Sequence, residues 1–517
     1  MGNEAIRLRN SGAVTAIAVD LGASGGRVVR ASWNGSHLRQ QVVHRFANVP
    51  VHSNGRLSWN LDELVTQIGY GIDLANQLGS VESVGVDAWG VDYGLLDEAG
   101  ALLAAPACYR GDPAADVFAS RTADENRRLY QCSGVMPMSI NTVFQLTAES
   151  LDQHGHLAQA AMLLMTPDLV HHALCGSRVS EQTIASTSGL LNLGSRTWDH
   201  RLIADAGLPP GIFPELVAAG QPVGELLRPS DKSSRSIQVV APACHDTADA
   251  VVAAPLQNDT EVFVCTGTWF LVGRETREPV TSRDALDAGL SNECGVGDST
   301  LTMANVTGLW ILEQCRAHWA EQGIDVSYER LNSLAASEQA GRWLFDPDCP
   351  MFDHPYDMPA AIRYYCKRTG QEPPKTVGEI ARAIVDSLAA RCAQVIKDLD
   401  TELGSSAAVV VVGGGTRNEL LIQAIASFSA LQTRVGPAEA TSAGSGAIQL
   451  MAAGEFSSIE DIRAAIRTST GQRKYQPQNT DVYREAFARW QSIRARGRSL
   501  GLGHEDDEGA RDGITWN

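Results

Sequence analysis

The residues best placed by type and spacing to do chemistry lie in the run Val239-Val240-Ala241-Pro242-Ala243-Cys244-His245-Asp246-Thr247-Ala248-Asp249-Ala250-Val251, where an apolar strand stops at a carboxylate and a helix begins. A carboxylate held between two rigid elements, among small and polar neighbours, is suited to take a proton from a hydroxyl beside a polyphosphate. Asp246 reads equally well as the cap of a helix that starts near Thr247, since Asp is favoured there.

Near the start, Leu21-Gly22-Ala23-Ser24-Gly25-Gly26-Arg27 offers successive backbone N–H groups, the Ser24 hydroxyl and the Arg27 guanidinium within one short turn, a set suited to phosphate oxygens. Asp20, at the end of the preceding strand, is a candidate to hold Mg2+ through water, or else simply starts the turn. The loop is not of the Walker A kind, because no Gly-Lys-Ser/Thr follows and it opens a strand rather than a helix. A second small-residue turn, Thr266-Gly267-Thr268, sits in the strand-turn-strand run from Glu261 to Val272. Gly413-Gly414-Gly415 falls between a strand and a helix, and we read it as a flat platform for a nucleoside, with Asn418 available to the nucleoside's polar edges. Close packing of a helix start on a sheet is the other reading. A dinucleotide fold, as in an NAD-dependent dehydrogenase, fails on spacing, because the glycines are consecutive rather than G-x-G-x-x-G.

These residues require an alternating α/β scaffold to position them. Ala13 to Asp20 and Arg27 to Arg30 read as strands around the first turn, Val84 to Leu96 as two strand segments bent at Trp89-Gly90, Ala407 to Val412 as a strand and Val377 to Leu399 as a helix. Two similar openings about 250 residues apart predict two related halves of one domain each. The boundary is expected where Ala254 to Asp259 interrupts the pattern, giving domains 1–254 and 255–485, with 486–517 a polar tail, partly disordered.

The chain has 517 residues, 44% of them apolar, which is enough to bury two cores. Its net charge of −18 comes without a dense Lys/Arg stripe, which argues against nucleic acid as a partner. No apolar run approaches the roughly 20 residues of a membrane span, and Met1 to Arg7 lacks a signal-peptide core, so a cytoplasmic protein with no membrane partner, monomeric or homodimeric, is expected. The ten cysteines form no CxxC pair and are expected to be reduced thiols. The histidines show no metal-ligand spacing, His171-His172 being an adjacent pair, and no Gly-x-Ser-x-Gly elbow is present.

Val19-Asp20-Leu21-Gly22-Ala23-Ser24, Gly85 to Asp92, Tyr109-Arg110, His245-Asp246-Thr247 and Gly413 to Asn418 together resemble the FGGY carbohydrate kinases, in order and spacing over about residues 13–485. The resemblance implies two actin-like, ribonuclease-H-like ATPase domains flanking a catalytic cleft, sugar on the first and nucleotide mostly on the second. It implies ATP and Mg2+ as cofactors and transfer to the 1-hydroxyl of a ketose: L-rhamnulose first, with L-fuculose, xylulose or a non-catalytic sugar sensor as alternatives. By the same resemblance Asp246 is the base, and Gly90, His245, Thr247 and Asn305 contact the sugar. Ala23, Ser24, Gly25, Gly26, Arg27 and Thr268 lie on the phosphate side and Gly414 on the adenine side. Two departures stand out. Gly25 replaces a usual second serine, and Glu313 replaces an expected glutamine, adding negative charge on the nucleotide side.

Overall fold

The computed structural model describes residues 13–503 except 54, 154, 228–235, 354 and 472. The chain divides into two units. Unit 1 runs to Pro255 and also takes Glu275–Thr302 and Glu439–Gly471, while unit 2 comprises Leu256–Arg274, Met303–Ala438 and the chain beyond Gly471. The chain first leaves unit 1 where the sequence pattern breaks, but it returns twice, so the linear division into 1–254 and 255–485 omits segments that complete unit 1.

Unit 1 is built on six strands: β1 (Val14–Gly22), β2 (Gly25–Trp33), β3 (Leu38–Ala47), β4 (Ser83–Ala88), β5 (Pro222–Glu225) and β6 (Gln238–Val240), in the order β5-β6-β4-β1-β2-β3. β1 and β4 are near-continuous apolar runs because both faces are covered, as central strands with parallel neighbours require. At the edge, β3 is more exposed and carries five polar residues, Arg39, Gln40, Gln41, His44 and Arg45. Helix Ala440–Ala452 lies close to β1 and β2 because its residues are small. A Cβ on Gly446 would run into Ala31, and one on Gly444 into the Asp249 backbone. Gln449 on that helix donates to the Ile17 carbonyl at 3.0 Å and accepts from the Ser83 hydroxyl at 2.9 Å, fixing the helix to both central strands.

Unit 2 repeats the plan with β7 (Glu261–Thr266), β8 (Trp269–Thr276), β9 (Thr300–Thr307), β10 (Ala408–Gly413), β11 (Thr433–Val435) and β12 (Lys474–Tyr475), in the order β9-β8-β7-β10-β11-β12, and the strand Ser291–Cys294 extends this sheet beyond β9. In each unit an antiparallel hairpin (β1–β2, β7–β8) is followed by two parallel pairings and an antiparallel edge strand. The duplication read from the two turns is therefore a duplication of sheet topology. The long helix Val377–Leu403 is buried along most of its length.

Helix Thr480–Ser499 continues well past the point where a polar tail was expected to begin. Its sequence is polar, yet Tyr483, Ala486, Trp490, Ile493 and Gly497 fall at helical spacing and are buried, and Trp490 Nε1 donates to the Phe345 carbonyl at 2.8 Å. Residues 504–517, the rest of the expected tail, and the first twelve residues lie outside the described residues. Among the described residues no helix is long and apolar enough to cross a membrane. The ten cysteines are all free thiols.

Candidate active site

After β6 the chain passes beside the end of β4, where Ala88 N–H donates to the Cys244 carbonyl at 2.9 Å and Ala88 pairs with His245 in a parallel bridge. The helix that follows, Asp246–Val252, has His245 at its N-cap, and no side chain caps it. Asp246 is thus the first helical residue, not the cap, and its carboxylate is not used to close the helix. It accepts the Thr247 hydroxyl at 3.2 Å and lies 3.5 Å from His245 Nε2, with 35% of the side chain open. The protein packed around it raises its pKa. The neighbouring His245 works against that rise, and Asp20 adds to it.

His245 Nδ1 lies 2.9 Å from Glu293 Oε2, an ion-pair distance, and both side chains are largely buried. Burial favours the neutral imidazole, but the Glu293 charge, with Asp246 and Glu181 behind it, outweighs burial and raises its pKa to about 9. Buried Glu181 ties the loop down: its Oε2 accepts the N–H groups of Thr183 at 2.9 Å and Cys244 at 3.1 Å, and the Thr183 hydroxyl in turn accepts His245 N–H at 3.1 Å.

The β1–β2 hairpin turns through Ala23-Ser24 and is braced by Asn48, whose N–H donates to the Ser24 carbonyl at 3.2 Å and whose Nδ2 donates to the Gly22 carbonyl at 3.1 Å. Arg27 folds back from it: Nε donates to Asp20 Oδ2 at 2.9 Å and Nη1 to Glu439. Burial alone would lower the Arg27 pKa, and the two carboxylates raise it. Asp20 also accepts the Ser442 hydroxyl at 3.1 Å. Asp20 pairs in register with Asp87 on β4, which is fully buried and has no hydrogen-bond partner for either oxygen. Burial first, then Asp20, Asp249 and Asp246, drive the Asp87 pKa well up, and Asp249 behaves likewise with burial as the leading cause. Gly25 Cα carries its missing Cβ direction toward the Phe46 carbonyl, which a side chain there would meet at 3.0 Å.

Gly90 begins a strained bend. Val91 has φ of 69°, a conformation costly for a β-branched residue, and is clamped by the Thr187 hydroxyl on its N–H at 3.0 Å and by Thr142 on its carbonyl at 2.7 Å. A Cβ on Gly90 would meet Thr187 at 2.9 Å.

Thr268, Asn305 and Gly414 belong to unit 2. Thr268 is exposed at the β7–β8 turn, and its carbonyl accepts Gly308 N–H at 3.1 Å. Asn305 is the single exposed residue in the otherwise buried β9. Gly413 and Gly415 serve close packing: a Cβ on Gly413 would strike the Thr266 backbone, and Gly415 N–H donates to the Thr266 hydroxyl at 3.0 Å. Gly414 alone faces open space. Asn418 Oδ1 caps the helix Glu419–Ser429 by accepting Leu421 N–H at 3.0 Å. The extra charge of Glu313 is matched by Arg316 at 2.8 Å, with the Tyr328 hydroxyl as a second partner.

Chain spacing gives no hint of the buried group Asp168, His171 and Cys244, whose potential ligand atoms lie within 4.8 Å of one another. Its polar atoms are already engaged: His171 Nε2 accepts Val86 N–H at 3.1 Å, and Asp168 accepts the Ser180 hydroxyl and, at 3.2 Å, Glu181 N–H. Burial holds His171 neutral, with its pKa lowered to about 4. Glu293, Glu181, Asp87 and Glu439 are further carboxylates to which the sequence reading assigned no role. A charged residue inside a strand that is otherwise buried, as Glu293 is in Ser291–Cys294, was the available signal.

Residues 15–253 match the FGGY family of carbohydrate kinases, N-terminal domain, and residues 262–453 match the C-terminal domain of the same family. A rhamnulokinase from Pectobacterium carotovorum subsp. carotovorum is 36% identical over 483 residues, 92% of this chain and 96% of that protein. One from Bacteroides thetaiotaomicron is 35% identical over 478 residues, 91% of this chain and 97% of the relative. Among solved structures, a gluconate kinase from Lactobacillus acidophilus superposes with a TM-score of 0.76 at 14% identity, over 95% of this chain and 98% of that one. A xylulose kinase from Rhodospirillum rubrum does so with 0.76 at 16% identity, over 94% and 99%.

Proposed function

The chain belongs to the FGGY family of carbohydrate kinases and is a sugar kinase with the family's two-domain actin-like fold, and on that premise we propose that it transfers the γ-phosphoryl group of ATP to the 1-hydroxyl of L-rhamnulose, with Asp246 as the base. The observation that carries the reading is the state of Asp246: first residue of its helix, unused as a cap and partly open. Whole-length identity to rhamnulokinases supports the choice of sugar.

A sugar hydroxyl is a poor acid, so a carboxylate that receives its proton as the O–P bond forms contributes about 10²–10⁴-fold in rate. Gly90, His245, Thr247 and Asn305 are assigned to the sugar, the Ala23–Arg27 turn and Thr268 to the phosphates, and Gly414 to the adenine. Within the turn, Ala23 and Ser24 would offer backbone N–H groups and Ser24 its hydroxyl, while Gly25 and Gly26 pair with β1 and β3 and Arg27 holds Asp20 in place. The carboxylates around Asp20 and the unpartnered Asp87 are hard oxygen donors in negative excess, a set that fits Mg2+, which Asp20 would hold. When bound, the cation neutralises charge on the transferred phosphoryl group.

Sugar-stimulated ADP release, measured over L-rhamnulose, L-fuculose and xylulose, tests the assignment. The highest kcat/KM is expected with L-rhamnulose, and a clear preference for another ketose overturns the choice of sugar.

A further inference from the structure

We propose that Glu293 is a positioning residue for the phosphoryl transfer, its ion pair with His245 Nδ1 fixing the imidazole so that a protonated Nε2 faces the Asp246 carboxylate. This rests on the reading of Asp246 as the base.

The geometry is a line of three groups. Glu293 Oε2 is 2.9 Å from Nδ1, and Asp246 Oδ1 is 3.5 Å from Nε2. A ring with a carboxylate against each nitrogen is satisfied only as the cation, because a neutral imidazole has one nitrogen without hydrogen. The frame around the ring is rigid. His245 N–H is held by the Thr183 hydroxyl at 3.1 Å, and Cys294 N–H, next to Glu293, donates to the Ser186 hydroxyl at 2.9 Å, so both partners are anchored on helix Gln182–Ser186. The charged groups that bear on the ring are Glu293 from the strand Ser291–Cys294, Asp246 from the ring's own helix and Glu181 from the segment entering helix Gln182–Ser186. Asp20, on β1, acts on Asp246.

The consequence for the base follows from charge. Burial and Asp20 push Asp246 toward its protonated, useless form, and the imidazolium opposes them. Remove the Glu293 charge and burial makes His245 neutral, so Asp246 loses the cation that keeps it ionised. The imidazolium also stabilises the fold, fully below its ordinary pKa of 6.5 and decreasingly as pH rises through about 9.

The test combines ring NMR of labelled histidine with pH–rate profiles for wild type, Glu293→Gln and Glu293→Asp. The His245 ring is expected to be cationic at pH 7.5 in the wild type and neutral in Glu293→Gln. In Glu293→Gln the acid limb of kcat/KM moves to higher pH and kcat near pH 6.5 falls about tenfold, the equivalent of one pKa unit, with KM for ATP unchanged. Glu293→Asp, which keeps the charge, restores most of the rate. A neutral ring in the wild type at pH 7.5 overturns the proposal even if the Gln variant fails to fold. So does a Gln variant that loses activity equally at every pH, or loses none. Should Asp246→Asn retain full rate while the ring titrates as described, the base assignment fails and the Glu293–His245 pair stands.

Discussion

Asp92 and Asp246 are both carboxylates of unit 1 that follow the ends of central strands, and they are surrounded in opposite ways. Asp92 is sealed from solvent and accepts from Trp59 Nε1 at 2.6 Å, Trp89 Nε1 at 2.9 Å, Gln145 Nε2 at 3.2 Å and Tyr109 N–H at 3.3 Å. Asp246 has the Thr247 hydroxyl, a histidine at 3.5 Å and an open third of its surface. Burial is the leading cause of a raised pKa in both, to about 6 for Asp92, so acidity does not tell them apart. Donors do. A carboxylate saturated by protein donors is committed to holding two tryptophans and a backbone bend, and one left short of donors at an open edge has lone pairs for a substrate proton.

Stability should separate the two most sharply. Asp92→Ala strands several buried donors, each worth about 1–3 kcal/mol, and is expected to cost about 3 kcal/mol or more in a denaturant unfolding curve. A loss below about 1 kcal/mol would mean that the hub around Asp92 is not a structural element. Gly90→Ala comes next: its Cβ meets Thr187 at 2.9 Å beside the strained Val91, so about 1–3 kcal/mol is expected, along with a raised KM for the sugar. Unchanged sugar KM would remove Gly90 from the proposed sugar contacts. Gly25→Ser restores a hydroxyl at the hairpin but brings a Cβ to 3.0 Å from the Phe46 carbonyl, and a loss of about 1 kcal/mol or less is expected in the same assay. A drop in KM for ATP in that variant would mean that the missing hydroxyl matters to phosphate binding. Asp246→Asn is the smallest, expected within about 0.5 kcal/mol of wild type, since the side chain does not cap its helix and the imidazolium keeps its closer partner Glu293. A large loss there would make Asp246 a structural carboxylate like Asp92.

The contrast explains what the amino-acid order revealed and what it hid. The strands around Asp20 and Cys265, the bend at Trp89-Gly90 and the glycine run at Gly413 are local patterns, readable from apolar periodicity and turn residues. So was the repeat of the hairpin, which the sheet orders of the two units reproduce. The return of Glu275–Thr302 and Glu439–Gly471 to unit 1 was not readable, because it depends on which buried faces finally meet. For the same reason the partners of His245 and Arg27 were missed. Glu293 is far along the chain from His245, and Glu439 farther still from Arg27, and no spacing rule joins them. Asn418 has a second, local role that the glycine run before it does not announce: its Oδ1 caps the following helix.

Asp246, on this reading, receives the proton of the sugar hydroxyl during phosphoryl transfer. The most direct measurement is the rate of L-rhamnulose-stimulated ADP release by Asp246→Asn against wild type at saturating ATP and sugar. A fall in kcat of about 10²–10⁴-fold is expected in a folded variant that still binds ATP, and a rate within about threefold of wild type would overturn the assignment of the base.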